Sequence, residues 1–371
     1  MIRVLVVDDS PLMLRLLSEL INADPELEVV GTASHGYEAV RKTEGLRPDV
    51  ITMDVNMPHM DGLKAVEQIM SAMPTPIVMI SSLTQAGADT TLKALDFGAI
   101  DFVYKPSGVV SPDITELAGE ITSKIKLASK IRVVRSVKRH RSTPITLSKK
   151  AARSTNDEHE VDVEDAIFKY VLSNYSGNVY KYEKVVIIGC STGGPQALND
   201  VLPRFPVNFE APILIAQHMP QKFTGKLAEL LNSRISLDVI EAQSGMKIRK
   251  GIVYIAPGGH HLKILADRTL ALLDGPKRPS EPCPSADILM QSAAAVFGSQ
   301  TIGVLLTGMG DDGVVGMNAI KDVKGHTIAQ DEESSLVFGM PRMAIESGCV
   351  DVITPLLRVA DEIIEYVLGK R

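Results

Sequence analysis

Short apolar segments alternate with stretches of helical apolar spacing, and this alternation constrains the fold of the 371-residue chain more than any other feature. Five such segments occur in residues 1–125, separated by amphipathic stretches such as Pro11–Ile21 and Gly62–Ser71. The predicted strands are Val4–Val7, Val29–Ala33, Val50–Met53, Ile77–Ser81 and Phe102–Tyr104. Repeated β/α alternation over a segment of this length predicts a doubly wound sheet of parallel strands with helices on both faces.

Residues 184–371 repeat the pattern, with predicted strands at Val185–Ile188, Ile213–Ala216, Ile302–Leu306 and Thr327–Ala329. Between them, Gly251–Leu273 alternates apolar and polar residues around Gly258-Gly259, which predicts a β-hairpin outside the main sheet. We therefore expect an α/β protein of two doubly wound parallel-sheet domains, the second with a β-hairpin excursion, joined by a linker.

Charge divides the chain into three segments. Residues 1–125 carry 9 basic and 18 acidic side chains, residues 126–183 carry 12 and 7, and residues 184–371 carry 18 and 20. The middle segment opens with a basic run and passes into an acidic run with few apolar anchors, which predicts a linker or weakly ordered arm. Its basic run could contact nucleic acid, but a solvated tether is the favoured interpretation. Residues 166–175 have the spacing of a short helix.

Several classes of protein are excluded by composition. The net charge of −6 does not favour binding to nucleic acid, which draws on an excess of basic residues. The cysteines Cys190, Cys283 and Cys349 show no CxxC spacing and are too few for a disulfide framework. The N-terminal apolar run is short and ends at two aspartates, unlike a secretory signal. No apolar run approaches the ~18 residues of a membrane span. We expect a cytoplasmic protein with no membrane insertion.

Carboxylates follow two predicted strands of the first segment. Asp8 and Asp9 end one strand and Asp54 ends another, so all three are expected at the edge of the sheet where ligands bind. Such a cluster needs a cation, and Mg²⁺ suits a site of few carboxylates with phosphate oxygens. Ser81 and Lys105 end the next strands and would complete a phosphoryl-binding site. A single aspartate at such a position is usually a helix N-cap, but five converging polar groups make that alternative poor.

This segment resembles the response-regulator receiver domain, a flavodoxin-like fold. The resemblance is carried by VVDDS (6–10), MDVNMPHMDG (53–62), ISS (80–82) and YKP (104–106). It implies that Asp54 accepts a phosphoryl group from a sensor histidine kinase. The resemblance also implies that Mg²⁺ is ligated by Asp9, Asp54 and the Asn56 carbonyl, with Asp8 acting mainly through water. Ser81 and Lys105 would contact the phosphoryl oxygens. Phe102 would occupy the position of an aromatic switch.

A small-residue turn follows the first strand of the second segment. Gly189-x-Ser191-x-Gly193 formally fits a nucleophile elbow, in which glycines permit a strained turn and a following helix offers backbone N–H groups to an oxyanion. Such a turn can also bind phosphate or a dinucleotide, although the third glycine of GxGxxG is missing.

A serine nucleophile requires a base and a group that orients it. His218 stands at the carboxyl end of a predicted strand, on the edge expected for Ser191. Asp311 and Asp312 both follow another strand, and spacing alone does not choose between them. The order Ser, His, Asp along the chain differs from that of the α/β-hydrolases, and triads of this kind recur on unrelated folds.

These residues resemble the catalytic domain of the chemotaxis protein-glutamate methylesterases, the CheB family, in a Rossmann-like domain. The matching motifs are IGCSTGGP (188–195), AQHMP (216–220), IAPGGHH (255–261) and LTGMGDDG (306–313). The resemblance implies a Ser191 nucleophile, a His218 base and an Asp312 orienter, with Thr192 and Met309 near the oxyanion site. It departs at Cys190, where the family commonly has Ala; we interpret this thiol as a small packed residue.

The implied function is a phosphorylation-regulated serine hydrolase that demethylates glutamate methyl esters, and deamidates glutamines, on chemoreceptors. The esterase reaction needs no cofactor. One rival is a phosphorylation-switched binding protein whose C-terminal domain is inactive, and the complete Ser191/His218/Asp312 set argues against it. A DNA-binding regulator is disfavoured because the C-terminal domain is acidic and too strand-rich for a helix-turn-helix. The expected organisation is a receiver domain at 1–125, a charged linker at 126–183 and a catalytic domain at 184–371.

Overall fold

The structure is a computed structural model that describes residues 1–82, 85–105, 114–131, 184–275 and 281–369. The predicted helix at 166–175 and most of the predicted linker lie outside the described residues. None of the described helices has the length and apolar character needed to cross a membrane.

The N-terminal domain is a five-stranded parallel sheet flanked by helices. Its strands lie in the order β2-β1-β3-β4-β5. The elements are β1 (Ile2–Val7), α1 (Pro11–Asn22), β2 (Leu27–Ala33), α2 (Gly36–Leu46), β3 (Val50–Asp54), α3 (Gly62–Ala72), β4 (Ile77–Ser82), α4 (Gln85–Asp96), β5 (Asp101–Lys105) and α5 (Ile114–Ala128). All five predicted strands are present within one or two residues of their expected bounds.

The C-terminal domain is built on a seven-stranded parallel sheet in the order β14-β13-β12-β6-β7-β9-β8. The strands of this sheet are β6 (Val185–Cys190), β7 (Ile213–Gln217), β8 (Asp238–Glu241), β9 (Ile252–Ile255), β12 (Thr301–Leu305), β13 (His326–Gln330) and β14 (Val352–Thr354). Two further strands, β10 (His260–Ile264) and β11 (Leu270–Asp274), form a separate two-stranded sheet. The helices of the domain are α6 (Gly194–Val201), α7 (Phe223–Asn232), α8 (Ala286–Phe297), α9 (Val314–Asp322), α10 (Met340–Glu346) and α11 (Val359–Val367).

The predicted β-hairpin is present, but its position was partly wrong. Strand β9, the first half of the predicted hairpin, is fully buried and belongs to the parallel sheet. The hairpin is formed by β10 and β11, which pair antiparallel across a turn at residues 265–269. That turn contains Arg268 with φ of 62°, and Asp267 accepts hydrogen bonds from the backbone and hydroxyl of Thr269. Short polar side chains of this kind stabilise turns, so ADRT rather than Gly258-Gly259 marks the reversal.

The two domains form one compact unit. The ring of Phe102 on β5 stacks on Phe223 at the start of α7, with centroids 4.6 Å apart and planes at 11°. Both rings are buried in an apolar cluster shared by the domains. This contact places the amino-terminal end of β5 against the elements that carry the candidate active site.

A polar group at the ends of α4 and α7 adds a second contact between the domains. Arg234 forms a two-pronged ion pair with Asp96, with Nη1–Oδ1 at 3.0 Å and Nη2–Oδ2 at 2.5 Å. The side-chain amide of Asn199 on α6 lies between them, accepting from Arg234 and donating to Asp96 at 3.2 Å. Planar, paired hydrogen bonds of this kind fix orientation as well as adding energy.

Candidate functional site

Ser191 lies on a tight turn between the buried strand β6 and helix α6. The turn is closed by a hydrogen bond from the Gly194 N–H to the Ser191 carbonyl at 2.8 Å, and Gly193 has φ of 80°. The Ser191 N–H donates to the Thr307 carbonyl, which ties the turn to the end of β12. A Cβ at Gly308 would come within 2.8 Å of Ser191 Cβ, so glycine is required for the two segments to approach.

His218 follows β7 directly, and its side chain pairs with Asp312. Its N–H donates to the Cys190 carbonyl at 3.0 Å, which places it beside the end of β6. Its Nε2 lies 2.7 Å from Asp312 Oδ2. Adjacent parallel strands therefore bring the predicted nucleophile and base to the same edge of the sheet, as the sequence predicts.

Asp312 is buried and fully hydrogen-bonded at the amino terminus of α8. It accepts from Ser285 Oγ at 2.7 Å, from the Ala286 N–H at 2.6 Å and from the Asp287 N–H at 3.1 Å. Burial alone would raise the pKa of Asp312, but the hydrogen bond from His218 and the donors around it outweigh burial and hold the pKa below its usual value. An ionised carboxylate at this position can orient and stabilise an imidazolium.

The two adjacent aspartates differ in burial and in the groups they contact. Asp312 is 7% exposed and contacts His218, whereas Asp311 is exposed and its backbone carbonyl accepts from Val314. Among the described residues, Ser191 Oγ is not yet hydrogen-bonded to His218. Because Nε2 is directed at Asp312, Nδ1 is the ring nitrogen that can accept the proton of Ser191. Hydrogen bonds between a nucleophile and its base often shorten only when substrate binds.

The two residues expected near the oxyanion site lie in different surroundings. Thr192 is 6% exposed, and its Oγ1 donates to Asp101 Oδ2 of the N-terminal domain at 2.5 Å. Met309 is 47% exposed in the loop after β12. The Thr192 hydroxyl is therefore engaged with β5 in this arrangement rather than directed to the nucleophile.

Cys190 is packed inside the domain. It is fully buried, its thiol donates to Gln217 Oε1 at 3.0 Å, and burial raises the pKa of the thiol far above its usual value. A thiol that stays protonated is a poor nucleophile, which agrees with the interpretation of this position as a small packed residue.

A second cluster lies at the carboxyl edge of the N-terminal sheet. Asp8, Asp9 and Asp54 each offer a carboxylate oxygen within 4.8 Å of the others. Lys105 Nζ lies 2.7 Å from Asp8 Oδ2 and 3.0 Å from Asp54 Oδ2. Three carboxylates from two neighbouring strands form the hard oxygen donor set that Mg²⁺ prefers, so the residues present fit that ion.

The pKa shifts in this cluster follow from burial and opposed charge. Burial raises the pKa of Asp54, with Asp8 adding to the shift and Lys105 opposing it. Burial would lower the pKa of Lys105, but the hydrogen bond to Asp8 and the charge of Asp54 raise it above its usual value. Lys105 is thus a fixed cation beside Asp54.

Three other residues predicted for the phosphorylation site differ in their surroundings, namely Ser81, Phe102 and Asn56. Ser81 is fully buried, and its Oγ accepts from Thr91 Oγ1 of α4 at 2.8 Å. Its hydroxyl is therefore linked to α4 in this structure. Phe102 lies on the strand that carries Lys105 but faces Phe223, and Asn56 lies in the exposed loop after β3.

Two residues of the catalytic edge were missed by the sequence analysis. Ser285 caps α8 and supports Asp312, and Gln217 ends β7 between the Ser191 and His218 backbones. A serine directly before an amphipathic run is a recognisable N-cap signal, so Ser285 could have been found. A glutamine at a strand end carries no comparable signal.

Comparison with known proteins finds two family models that match separate parts of the chain. The family model described as CheB methylesterase matches residues 186–363, and the response regulator receiver domain model matches residues 4–111. The protein-glutamate methylesterase/protein-glutamine glutaminase of Pyrococcus horikoshii is 42% identical over 369 residues, which are 99% of this chain and 94% of the relative. The second enzyme of that name in Carboxydothermus hydrogenoformans is 45% identical over 373 residues, which are 99% of each chain.

Among solved structures, the CheB methylesterase catalytic domain of Thermotoga maritima is 42% identical, covering 49% of this chain and 98% of its own, with a TM-score of 0.47. Both domain models match in the same order along the chain, and the two relatives match it over nearly their full lengths. The chain therefore belongs to the CheB methylesterase family, with a response-regulator receiver domain ahead of its catalytic domain.

Proposed function

We propose that this protein removes methyl groups from glutamate methyl esters, and converts glutamines to glutamates, on the cytoplasmic parts of chemoreceptors. The observation that carries the proposal is the pairing of His218 with a buried, fully hydrogen-bonded Asp312 at the sheet edge that also bears Ser191. The names of the curated relatives, which combine methylesterase and glutaminase activity, support the same chemistry.

The reaction proceeds by covalent catalysis. Ser191 Oγ attacks the ester carbonyl while His218 takes its proton, and His218 then returns that proton to the departing methanol. Water activated by the same imidazole hydrolyses the acyl-enzyme and regenerates Ser191. Asp312 stabilises the imidazolium that forms in both halves of the reaction. With a glutamine side chain, the leaving group is ammonia and the residues act in the same order.

Phosphorylation of Asp54 by a sensor histidine kinase controls access to this site. Asp9 and Asp54, with the Asn56 carbonyl and with Asp8 through water, would hold Mg²⁺, which supplies positive charge to the transferring phosphoryl group. Lys105 lies beside Asp54 and contacts the phosphoryl oxygens together with Ser81, whose O–H must leave the Gly87 carbonyl to do so. These movements begin on β4 and β5, and β5 touches the catalytic domain through Asp101 and Phe102.

In the unphosphorylated form, the receiver domain covers one side of the catalytic edge. Support for this arrangement comes from the buried Thr192, directly after the nucleophile, whose hydroxyl is bonded to Asp101. A bulky receptor helix requires this side to open, so phosphorylation shifts the population towards an open form.

The activity is tested by methanol release from methylated receptor, with and without a small-molecule phosphodonor. Wild-type protein should release methanol, and the phosphodonor should accelerate release. Ser191→Ala should lose nearly all activity and should no longer react with a fluorophosphonate probe. Wild-type rates in Ser191→Ala would refute the assignment of the nucleophile. Ammonia release from unmodified receptor glutamines measures the second activity with the same variants.

A further inference from the structure

Gln217 is a buried amide that lies between the nucleophile and the base. It ends β7, is 2% exposed, and pairs in register with Cys190 at the end of β6. Its Nε2 donates to the carbonyl of Ser191 and to the carbonyl of His218, each at 3.0 Å. One side-chain amide therefore joins the backbones of the two residues between which a proton must move.

The orientation of this amide is determined by its partners. Two carbonyl oxygens can be satisfied only by the NH₂ group, which has two donors, so the carbonyl oxygen of Gln217 must face the other way. There it accepts from the Cys190 thiol at 3.0 Å. The amide is thus hydrogen-bonded on both sides, and none of its polar atoms remains for a substrate.

The neighbouring helix is built to accommodate this side chain. A Cβ at Gly194, the first residue of α6, would come within 1.9 Å of Gln217 Oε1. Glycine at this position lets the first turn of α6 close over the amide. The same Ser191 carbonyl that accepts from Gln217 also accepts from the Gly194 N–H, so the nucleophile turn is held from two directions.

We infer that Gln217 is a positioning residue that holds Ser191 and His218 at the separation and angle required for proton transfer. The inference rests on the proposed serine-hydrolase function, but it concerns a residue outside the triad and the oxyanion site. Small displacements between a nucleophile and its base are expensive, since a shift of about 1 Å can cost about 100-fold in rate. Gln217 acts through the two backbone carbonyls and does not touch the substrate.

The first test replaces Gln217 with Met, which has a similar length but no donors. In the full-length protein we expect kcat for methanol release to fall by about 10- to 100-fold while KM stays within about twofold. Labelling of Ser191 by a fluorophosphonate probe should slow by a similar factor. A kcat within about twofold of wild type, or a rise in KM with kcat unchanged, would overturn the inference.

The second test uses Gln217→Glu, which keeps the shape but replaces the NH₂ donors with a carboxyl group that can donate only when it is protonated. Ionised Glu cannot donate to either carbonyl, but a protonated Glu can donate to one of them. Burial beside two carbonyl oxygens raises the pKa of a carboxyl group. The activity ratio of Gln217→Glu to wild type should therefore rise as the pH falls from about 8 to about 6, while the ratio for Gln217→Met stays flat. A flat ratio for Gln217→Glu would contradict the role of the donors.

Cys190→Ala is the matched control, because it removes the contact on the opposite side of the same amide and leaves both donations in place. Its kcat should stay within about twofold of wild type. If Gln217→Met does not fold, the Gln217→Glu ratio and the Cys190→Ala rate still decide the question. Failure of the proposed function is distinct: the wild-type protein would then release no methanol and would not label at Ser191.

Discussion

Thr192 donates a hydrogen bond of 2.5 Å from its side-chain hydroxyl to the carboxylate of Asp101. The two residues belong to different domains and are separated by 91 positions in the chain. Thr192 directly follows the nucleophile, and Asp101 is the first residue of β5. The receiver domain therefore holds a group of the nucleophile turn itself.

We predict that Asp101→Asn raises the activity of the unphosphorylated protein by about three- to tenfold. A hydrogen bond to an ionised acceptor contributes about 1.5–3 kcal/mol, and a neutral amide keeps only part of that energy. Methanol release without phosphodonor measures the effect. The rate with saturating phosphodonor should be unchanged, because the proposed open form would lack this contact.

Asp89→Asn is the matched control for charge, since Asp89 is an exposed acidic residue of α4 on the same domain. It should leave both rates unaltered. Equal basal rates in Asp101→Asn and wild type would argue against a restraining role for the Thr192 contact.

The ion pair between Asp96 and Arg234 should also stabilise the closed arrangement. We predict that Asp96→Ala and Arg234→Ala each raise basal activity by up to about fivefold, and that the double variant is no more active than either single variant. A partly exposed ion pair contributes about 0.2–1 kcal/mol to the stability of the arrangement it holds. Removing either partner of a coupled pair already loses this energy, so removing the second partner has no further effect. The basal rates of the wild type, the two single variants and the double variant form a double-mutant cycle, and strictly multiplicative effects would show that the pair is not coupled.

Asp54→Asn should abolish stimulation by the phosphodonor while leaving the basal rate within about twofold of wild type. The amide cannot accept the phosphoryl group, and it removes one carboxylate from the Asp8/Asp9/Asp54 cluster. Phosphate incorporation and methanol release are measured on the same sample. Stimulation that survives in Asp54→Asn would assign the phosphoryl group to another residue.

The acid stability of the protein should depend on Asp312. Its pKa is below the usual value in the folded protein, despite burial, because His218 and the donors at the start of α8 favour the ionised form. A carboxylate with a lowered folded-state pKa contributes stability that is present above its unfolded pKa, about 3.9, and is lost as the pH falls through the folded value.

In Asp312→Asn the melting temperature should therefore decrease less steeply than in wild type as the pH falls below about 4. At neutral pH the same substitution should reduce activity more than 100-fold. Thermal unfolding followed by circular dichroism over a pH series provides the measurement. Asp311→Asn, at the exposed neighbouring position, should leave the pH profile of stability unchanged. A profile in Asp312→Asn that matches wild type would count against an ionised Asp312 in the fold.

The alternation of strands and helices was sufficient to predict both sheets, but not every strand. The strands of the receiver domain were found because each is a run of apolar residues that ends at a turn or a charged residue. Strands β8 and β14 were missed because DVIE and VIT are short, half-buried edge strands with little apolar signal. Strand β9 was assigned to the hairpin because a four-residue apolar run fits either arrangement.

At the candidate active site, strand ends predicted where Ser191, His218 and an aspartate would converge. The sequence alone could not separate Asp311 from Asp312, because the direction of each side chain depends on the turn after β12. The contact between Thr192 and Asp101 could not be predicted either, since it depends on how two domains pack. The role of Thr192 at the oxyanion site stays a prediction.

Strand β5 is five residues long, and its two ends contact different parts of the protein. Lys105 at one end contacts Asp54, while Asp101 and Phe102 at the other contact Thr192 and Phe223. About 13 Å of extended backbone separates these ends. A foreign receiver grafted onto this catalytic domain would therefore be regulated only if its fifth strand also carried the acidic and aromatic partners of Thr192 and Phe223, so the two domains are constrained to diverge together.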